Sequence, residues 1–588
     1  MGLSVLDWSI IIGYLLLAAG IGFYYKKQAG KSLESFFLGG RKLPWYIAGI
    51  SMVATTFAAD TPLWVTEKIA QHGVSGNWLW WNMLIGGMLT TFFFARLWRR
   101  AEIVTELEFI ELRYSGKPAA FLRGFKSVYM GIFLNAIIIG WVNTALASIL
   151  EVFFGIPESE TIYYLAAAMG IVVLYSSLAG LMGVAITDFV QFFIAMIGCI
   201  VLAVVVLQTD KVGGISGLKE QLPAWRFDFF PKISSGDTIE TIGTYSVTLG
   251  AFLTFSLVQW WASWYPGAEP GGGGYVAQRM MSAKDEKNAV FATLFFQIAH
   301  YCLRPWPWII VGLGALVLYP DLAIEDSAQG FVMAMKDLLP SGLKGLLLVA
   351  FLSAYMSTIS TQLNWGASYL TNDLYKRFLR KAKSTDTEER VQKDYVQKAR
   401  LFTWLIVLVG LFASTQMNSI DSAATFLIEC GAGLGLVLIL RWYWWRINAW
   451  SEITASLAPF AGYILANWVW ELPYPYNFLF TVGFSTVLWL LVTFLTKPTN
   501  QATLQHFYQK VKPDGYWGKY RDEGLNKSSL KPLFICWFSS IVMVYASLFM
   551  IGDLIFQNYT KAGVESVIVL ISFVLLRIQL KKTRIFDF

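Results

Sequence analysis

The chain has 588 residues, 56% hydrophobic and 16% aromatic but only 14% charged, against roughly 25% charged in soluble domains. That balance excludes an ordinary soluble enzyme, and 25 Trp, 43 Phe and 49 Gly exclude a disordered or fibrous chain. A formal net charge of +7 in so apolar a chain is a topology signal, so the expectation is an all-α polytopic membrane protein with a lipid bilayer around it and no nucleic-acid partner.

The first apolar run, 5–25, precedes Lys26 and Lys27 and has neither a leading basic stretch nor a small-residue cleavage site, so it reads as a retained span rather than a signal peptide. Further runs predict helices near 43–69, 74–97, 122–153, 160–179, 184–207, 243–265, 288–319, 343–374, 398–416, 420–446, 451–470, 474–496, 531–555 and 561–580, about fifteen in all. Basic clusters occupy alternate loops: Lys26/Lys27/Lys31, Arg96/Arg99/Arg100, Arg279/Lys284/Lys287, Lys376/Arg377/Arg380/Lys381, Arg441/Arg446, Lys510/Lys512 and Lys581/Lys582/Arg584. Glu158/Glu160, Asp321/Glu325/Asp326 and Glu471 occupy the others. By the positive-inside rule this predicts an outside N-terminus and a cytoplasmic C-terminus in a plasma or bacterial inner membrane. Residues 208–242 read as an extracellular excursion, and 497–530 as a cytoplasmic amphipathic segment suited to an anionic leaflet. Cys199, Cys302, Cys430 and Cys536 all lie in apolar runs without CxxC spacing and read as packing residues.

The second run carries small residues, hydroxyls, Asp60 and Pro62 in its middle. Pro62 removes a donor and predicts an interruption there, and irregular backbone at membrane depth is tolerated only where it is buried or lines a cavity. The seventh run ends in WWASWYPGAEPGGGG, 260–274. Two interrupted helices five spans apart point to an inverted-repeat carrier with its site between them; a proline kink in a packing helix is the plainer alternative for either one. The ninth run holds Ser357, Thr358, Ser360 and Thr361. One such hydroxyl ordinarily bonds back to its own turn, but four in five positions supply the oxygens that a hard monovalent cation needs, opposite carbonyls freed by the break. A sodium site between the second and ninth spans is therefore expected. Membrane-embedded Asp60, Asp188, Arg304 with His300, and Glu429 are the remaining candidates, although an Asp60–Arg304 ion pair or an Asp188 helix cap would satisfy them without a ligand.

The motifs FFLGGRKLPWYIAGISMVAT, YSSLAGLMGVAITDFVQFF, VAQRMMSAKDEKNA and SAYMSTISTQLNWGASYLTNDLY resemble those of the sodium:solute symporter family, which includes sodium/glucose, sodium/proline and sodium/sialic acid cotransporters. The resemblance covers roughly 5–450 and implies a LeuT-type core of inverted five-helix repeats. Residues 1–42 would be an extra helix and cytoplasmic loop, 43–446 a ten-helix core with repeats at about 43–207 and 243–446, and 447–588 four further helices. It also implies a principal sodium site on the carbonyls of Ala54, Phe57 and Ala354 and the hydroxyls of Ser357 and Thr358, and a second sodium on Asp188, Ser357, Ser360 and Thr361. Positions matching sugar contacts are Thr61, approximately Asn135, and His300, none of them the residue a sugar site predicts. Asp60, Trp260, Trp261, His300, Arg304 and Glu429 are further candidates to line a solute pocket.

The function so implied is sodium-coupled secondary active symport of a small polar organic solute by alternating access, with Na+ as coupling ion and no obligate protein partner. A transporter-like solute sensor and a proton-coupled or uncoupled carrier are the alternatives. A membrane-embedded enzyme is not expected: His72, His300 and His506 form no HExxH, and GAEPGGGGY lacks the spacing of a phosphate loop.

Overall fold

A computed structural model of the protein describes residues 3–234, 246–381, 386–417, 420–520 and 530–583. Its main helices are α1 (Val5–Ala29), α2 (Trp45–Thr55), α3 (Asp60–His72), α4 (Gly116–Phe154), α5 (Glu158–Gln208), α6 (Leu249–Ala262), α7 (Gly274–Ser282), α8 (Glu286–Leu318), α9 (Leu343–Leu379) and α10 (Glu388–Ser414). They continue with α11 (Ile420–Cys430), α12 (Leu434–Tyr443), α13 (Ala449–Ile464), α14 (Tyr476–Leu495), α15 (Gln501–Val511), α16 (Leu530–Ile555) and α17 (Tyr559–Leu580).

Among the described residues nine helices are long and apolar enough to cross a membrane: α1, α4, α5, α8, α9, α10, α14, α16 and α17. The expectation of about fifteen spans exceeds this because several predicted runs are interrupted. The run at 43–69 is α2 plus α3, that at 420–446 is α11 plus α12, and that at 243–265, of which 243–245 lie outside the described residues, holds the short α6. Two other runs, 160–179 and 184–207, join into the single α5, which bends at Gly180 (φ +58°, ψ −172°). A Cβ there would lie 2.9 Å from the Ala29 Cβ and from the Phe36 carbonyl oxygen, so only glycine admits both the positive φ and the close approach.

The bundle is built around α9, whose residues from Ser353 to Ser368 are all buried. It packs on α5, α1, α2 and α10. The N-terminus of α1 is fixed to its base: Ser4 and Asp7 form a capping box, and the second Asp7 oxygen accepts the N–H groups of Gly342 and Gly345 at 2.7 Å. The helices α16 and α17 pair with each other, as do α13 and α14.

The amphipathic stretch at 497–530 corrects the lipid-surface expectation where it is described. Leu504, Phe507, Tyr508 and Val511 of α15 are buried against protein, with Phe507 edge-on to Phe109 at 5.5 Å, so its apolar face is spent on the bundle. The four cysteines are buried and unpaired. Of the C-terminal basic cluster, Arg584 lies outside the described residues, as does 235–242 of the expected extracellular excursion.

Candidate cation and solute site

The break between α2 and α3 runs over 56–59, before Pro62 rather than at it. Pro62 falls in the first turn of α3, where its missing N–H costs nothing, so it starts the second half-helix instead of ending the first. What the break changes is the carbonyl pairing. The Ala54 carbonyl takes the Phe57 N–H at 3.0 Å, and the Thr61 N–H goes to Ala58 at 3.3 Å, which releases the Phe57 carbonyl from its usual i+4 partner.

Facing this break, the Thr358 hydroxyl donates to the Thr55 carbonyl at 2.9 Å, and Ser357 donates to Asp188 at 2.6 Å. Each hydroxyl thus spends its hydrogen on a neighbour and keeps its oxygen lone pairs available. Ala54, Phe57, Ala354, Ser357 and Thr358 are all buried, and the two elements expected to supply them are packed together. Carbonyl and hydroxyl oxygens of this kind are donors that suit a hard monovalent cation.

Asp188 is fully buried within α5 and does not cap its helix; it binds across the bundle. It accepts from Ser51 of α2 at 2.5 Å and from Ser357 of α9, and the Arg279 guanidinium of α7 lies 3.7 Å away. Arg279 also donates to Thr361 at 2.7 Å and to Ser51 at 3.2 Å, while Thr361 and Thr55 hydroxyls meet at 3.1 Å. The sequence grouped Arg279 with a cytoplasmic basic cluster, but it is fully buried. Of the four residues expected to hold a second sodium, Asp188 and Ser357 meet. Ser360 folds back on the Ser357 carbonyl at 3.0 Å, and Thr361 takes the Arg279 N–H.

Beside the break lies a cavity of about 130 Å³ lined by Thr55, Thr56, Asp60, Thr61 and Trp64 from the broken segment, with Trp80, Met83, Ile138, Trp141 and Val142 opposite. Tyr265 to Ala268, Tyr275, His300, Tyr301, Thr358 and Gln362 complete it. Thr358, one of the expected cation ligands, and Thr55, whose carbonyl it holds, thus also line the cavity.

Asp60, Thr61 and His300 line this cavity as expected, with His300 Nδ1 3.2 Å from the Thr56 hydroxyl. The other candidates lie elsewhere. Arg304 does not pair with Asp60; it donates to the Val53 and Thr56 carbonyls at 2.7 and 2.9 Å and to the Thr56 hydroxyl at 3.0 Å, so it braces the broken end of α2. Asn135 donates to the Gln362 carbonyl at 2.9 Å. Trp260 packs on Trp537, Trp261 bonds its own helix at Leu257, and Glu429 accepts from Asn477. The wall rings Trp80, Trp141 and Tyr275 went unread because an aromatic in an apolar run carries no local mark of which helix face it occupies.

The sodium:solute symporter family model matches residues 36–458. The chain is 25% identical over 517 residues to the sodium/glucose cotransporter of Vibrio parahaemolyticus, covering 83% of this chain and 90% of that one. It is 26% identical over 463 residues to the osmoregulated proline transporter OpuE of Bacillus subtilis (strain 168), 76% and 85% covered. Among solved structures, the substrate-bound outward-open state of a Na+-coupled sialic acid symporter superposes with a TM-score of 0.65 at 19% identity, over 85% of this chain and 99% of that one, a likeness of fold.

Proposed function

Because the chain belongs to the sodium:solute symporter family, we propose that it is a multi-pass membrane carrier that couples inward sodium movement to uptake of a small polar organic solute. The observation that carries this reading is the shared wall. Thr358 and the carbonyl it holds, Thr55, belong both to the expected cation ligands' neighbourhood and to the solute cavity. A cation that draws α9 toward the α2 break shapes the cavity, and unequal sodium binding to the outward and inward states is what produces coupling.

In this reading the carbonyls of Ala54, Phe57 and Ala354 and the hydroxyls of Ser357 and Thr358 hold the sodium. The core is 43–446 in two inverted repeats, about 43–207 and 243–446, flanked by 1–42 and 447–588, with fifteen crossings, the N-terminus outside and the C-terminus cytoplasmic. Arg279 supplies the cation for Asp188, which favours one sodium per cycle over two. The solute is a polyol or an amine rather than an organic anion. The cavity has one carboxylate, Asp60, whose Oδ1 accepts no hydrogen bond, and ring walls suited to sugar faces or ammonium groups, while Arg304 is committed to backbone carbonyls.

The test is thermal stabilisation of the purified protein by a panel of sugars, polyols, amines, amino acids and carboxylates, each in sodium and in potassium. A polyol or amine that stabilises only in sodium is the expected result. Stabilisation by a solute in both salts alike refutes sodium coupling, and a carboxylate as the sodium-dependent ligand refutes the assignment of solute class.

A further inference from the structure

The unwound segment between α6 and α7 has two sides. Residues 265–268 face the solute cavity. The next residue, Glu269, turns away from it, is 3% exposed, and has neither carboxylate oxygen in a hydrogen bond. Among the described residues, the backbone N–H groups of Gly267 and of Glu269 itself lie near it but fall short of hydrogen-bond geometry.

Its nearest charged neighbour is another carboxylate. A Cβ on Gly273 would lie 3.1 Å from the Glu269 Cβ and 3.2 Å from Glu106 Oε1, and one on Gly274 only 2.6 Å from Glu269 Oε1. The glycine pair is what lets both acids close on the same stretch of backbone.

Glu106 is fully provided for. Its Oε2 accepts the Gly274 N–H at 2.7 Å and the Tyr369 hydroxyl at 2.9 Å, and Arg441 stands 3.5 Å from its Oε1. Arg441 in turn bonds Glu452 at 3.1 Å, and Lys126 and Tyr114 complete Glu452. Two cations, Lys126 and Arg441, thus match two acids, Glu106 and Glu452. Farther out, Arg113 is spent on the carbonyls of Arg441, Trp444 and Trp445. Of the groups on the adjoining helix, Arg279 serves Asp188, and Tyr275 is a neutral phenol beside Gly267.

A third buried carboxylate beside this balanced set has no counter-charge among the described residues. An isolated ionised carboxylate in such a place costs far more than binding a proton, and a sodium ion there would need several further oxygens, where the Trp365 ring edge lies against Gly274 instead. We propose that Glu269 is a proton-binding site, loaded in this conformation and emptied when the glycine-rich segment parts from Glu106 and Arg441.

On release, the O–H bond of the Glu269 carboxyl breaks, the electron pair stays on the carboxylate, and the proton passes to water. The cavity of about 20 Å³ that Glu106 borders with Lys126 and Ser456 has room for one water, but Glu269 does not line it, so the proton leaves only once the segment has parted. Because Glu269 sits one residue beyond the solute wall, its proton links that wall to the buried ion network, so the cycle binds and releases a proton in addition to sodium.

The experiment is infrared difference spectroscopy of full-length protein in lipid nanodiscs at pH 7, in potassium chloride without solute. Wild type is compared with Glu269→Gln and, as a variant that keeps the acid, Glu269→Asp. The expected result is a carboxylic-acid C=O band that disappears in Glu269→Gln, shifts in Glu269→Asp, and gives way to a carboxylate band as pH rises. A wild-type-minus-Glu269→Gln spectrum showing only carboxylate at pH 7 overturns the proposal. So does replacement of the acid band by a carboxylate band when sodium replaces potassium, which would make the site a cation site. This readout needs neither sodium coupling nor a known solute, so it fails or succeeds independently of the symport reading. A second readout follows sodium-induced thermal stabilisation from pH 6 to 9: wild type loses it as pH rises and Glu269→Gln does not. An unaltered wild-type profile in Glu269→Gln overturns the coupling of that proton to the cycle.

Discussion

The Asp188–Arg279 pair offers a sharp test of how the centre of the bundle is balanced. Both side chains are fully buried, and the carboxylate receives two hydroxyls, at 2.5 and 2.6 Å, plus the guanidinium at 3.7 Å. Asp188→Asn keeps the shape but removes the charge. One amide position can no longer accept a hydroxyl, a loss of about 1.5–3 kcal/mol for a bond to a charged group. It also leaves Arg279 without its counter-ion, and breaking a buried pair costs about 3–5 kcal/mol in total. Arg279→Gln should cost a similar amount, since it strands Asp188. The double variant Asp188→Asn/Arg279→Gln leaves no buried charge, so it should fall short of the sum of the singles by about 1–3 kcal/mol. The assay is equilibrium unfolding of the four proteins in the same detergent, in sodium and in potassium. Additive costs, with coupling below about 0.5 kcal/mol, would refute the pairing. A coupling that appears in potassium but collapses in sodium would show that a sodium ion on Asp188, Ser357, Ser360 and Thr361 displaces the guanidinium, and would refute the one-sodium reading.

Other expectations follow from single contacts. Thr358→Val removes one oxygen of the proposed cation site at nearly constant volume, so the sodium concentration giving half-maximal thermal stabilisation should rise about 10- to 150-fold, the equivalent of about 1.5–3 kcal/mol; Thr358→Ser should stay near wild type, and an unchanged value for Thr358→Val would remove Thr358 from the site. Gly180→Ala should destabilise the protein by at least about 2 kcal/mol, because it adds a positive-φ penalty to overpacking against Ala29 and Phe36; wild-type stability in the same unfolding assay would contradict the bend. Asp285 caps α8, and although partial burial acts to raise its carboxyl pKa, hydrogen bonds from the Asn288 N–H and side chain and the charges of Lys284 and Arg99 hold it below the ordinary value. A lowered folded pKa contributes stability above the unfolded value and loses it as pH falls through the folded one. Asp285→Ala should therefore cost about 0.5–2 kcal/mol at pH 7 and progressively less below about pH 4; a difference that grows on acidification would reverse the argument.

The sequence by itself determined the solvent and the helical character of the runs, but not where a run breaks or joins its neighbour. Twenty-residue apolar runs report their own helicity because a bilayer leaves the backbone no other partner, and the hydroxyl run at 357–361 and the interrupted run at 51–62 marked the segments on which a cation site is proposed. Composition also flagged WYPGAEPGGGG as irregular, since glycine and proline act locally. Tertiary structure decided which side of each helix meets what. Pro62 proved to open a half-helix because the chain had already left α2 at Thr56. Arg279 and Arg441 read as members of basic rims, yet both are buried against acids contributed by other segments, Asp188 for one and Glu106 and Glu452 for the other. Asp60 and Arg304 share a neighbourhood but not a bond, and Trp260 and Trp261 point away from the cavity that Trp80 and Trp141 line. Charge pairing and pocket walls are made by residues on different segments, many of them hundreds of positions apart, and a single sequence records each partner without recording the pair.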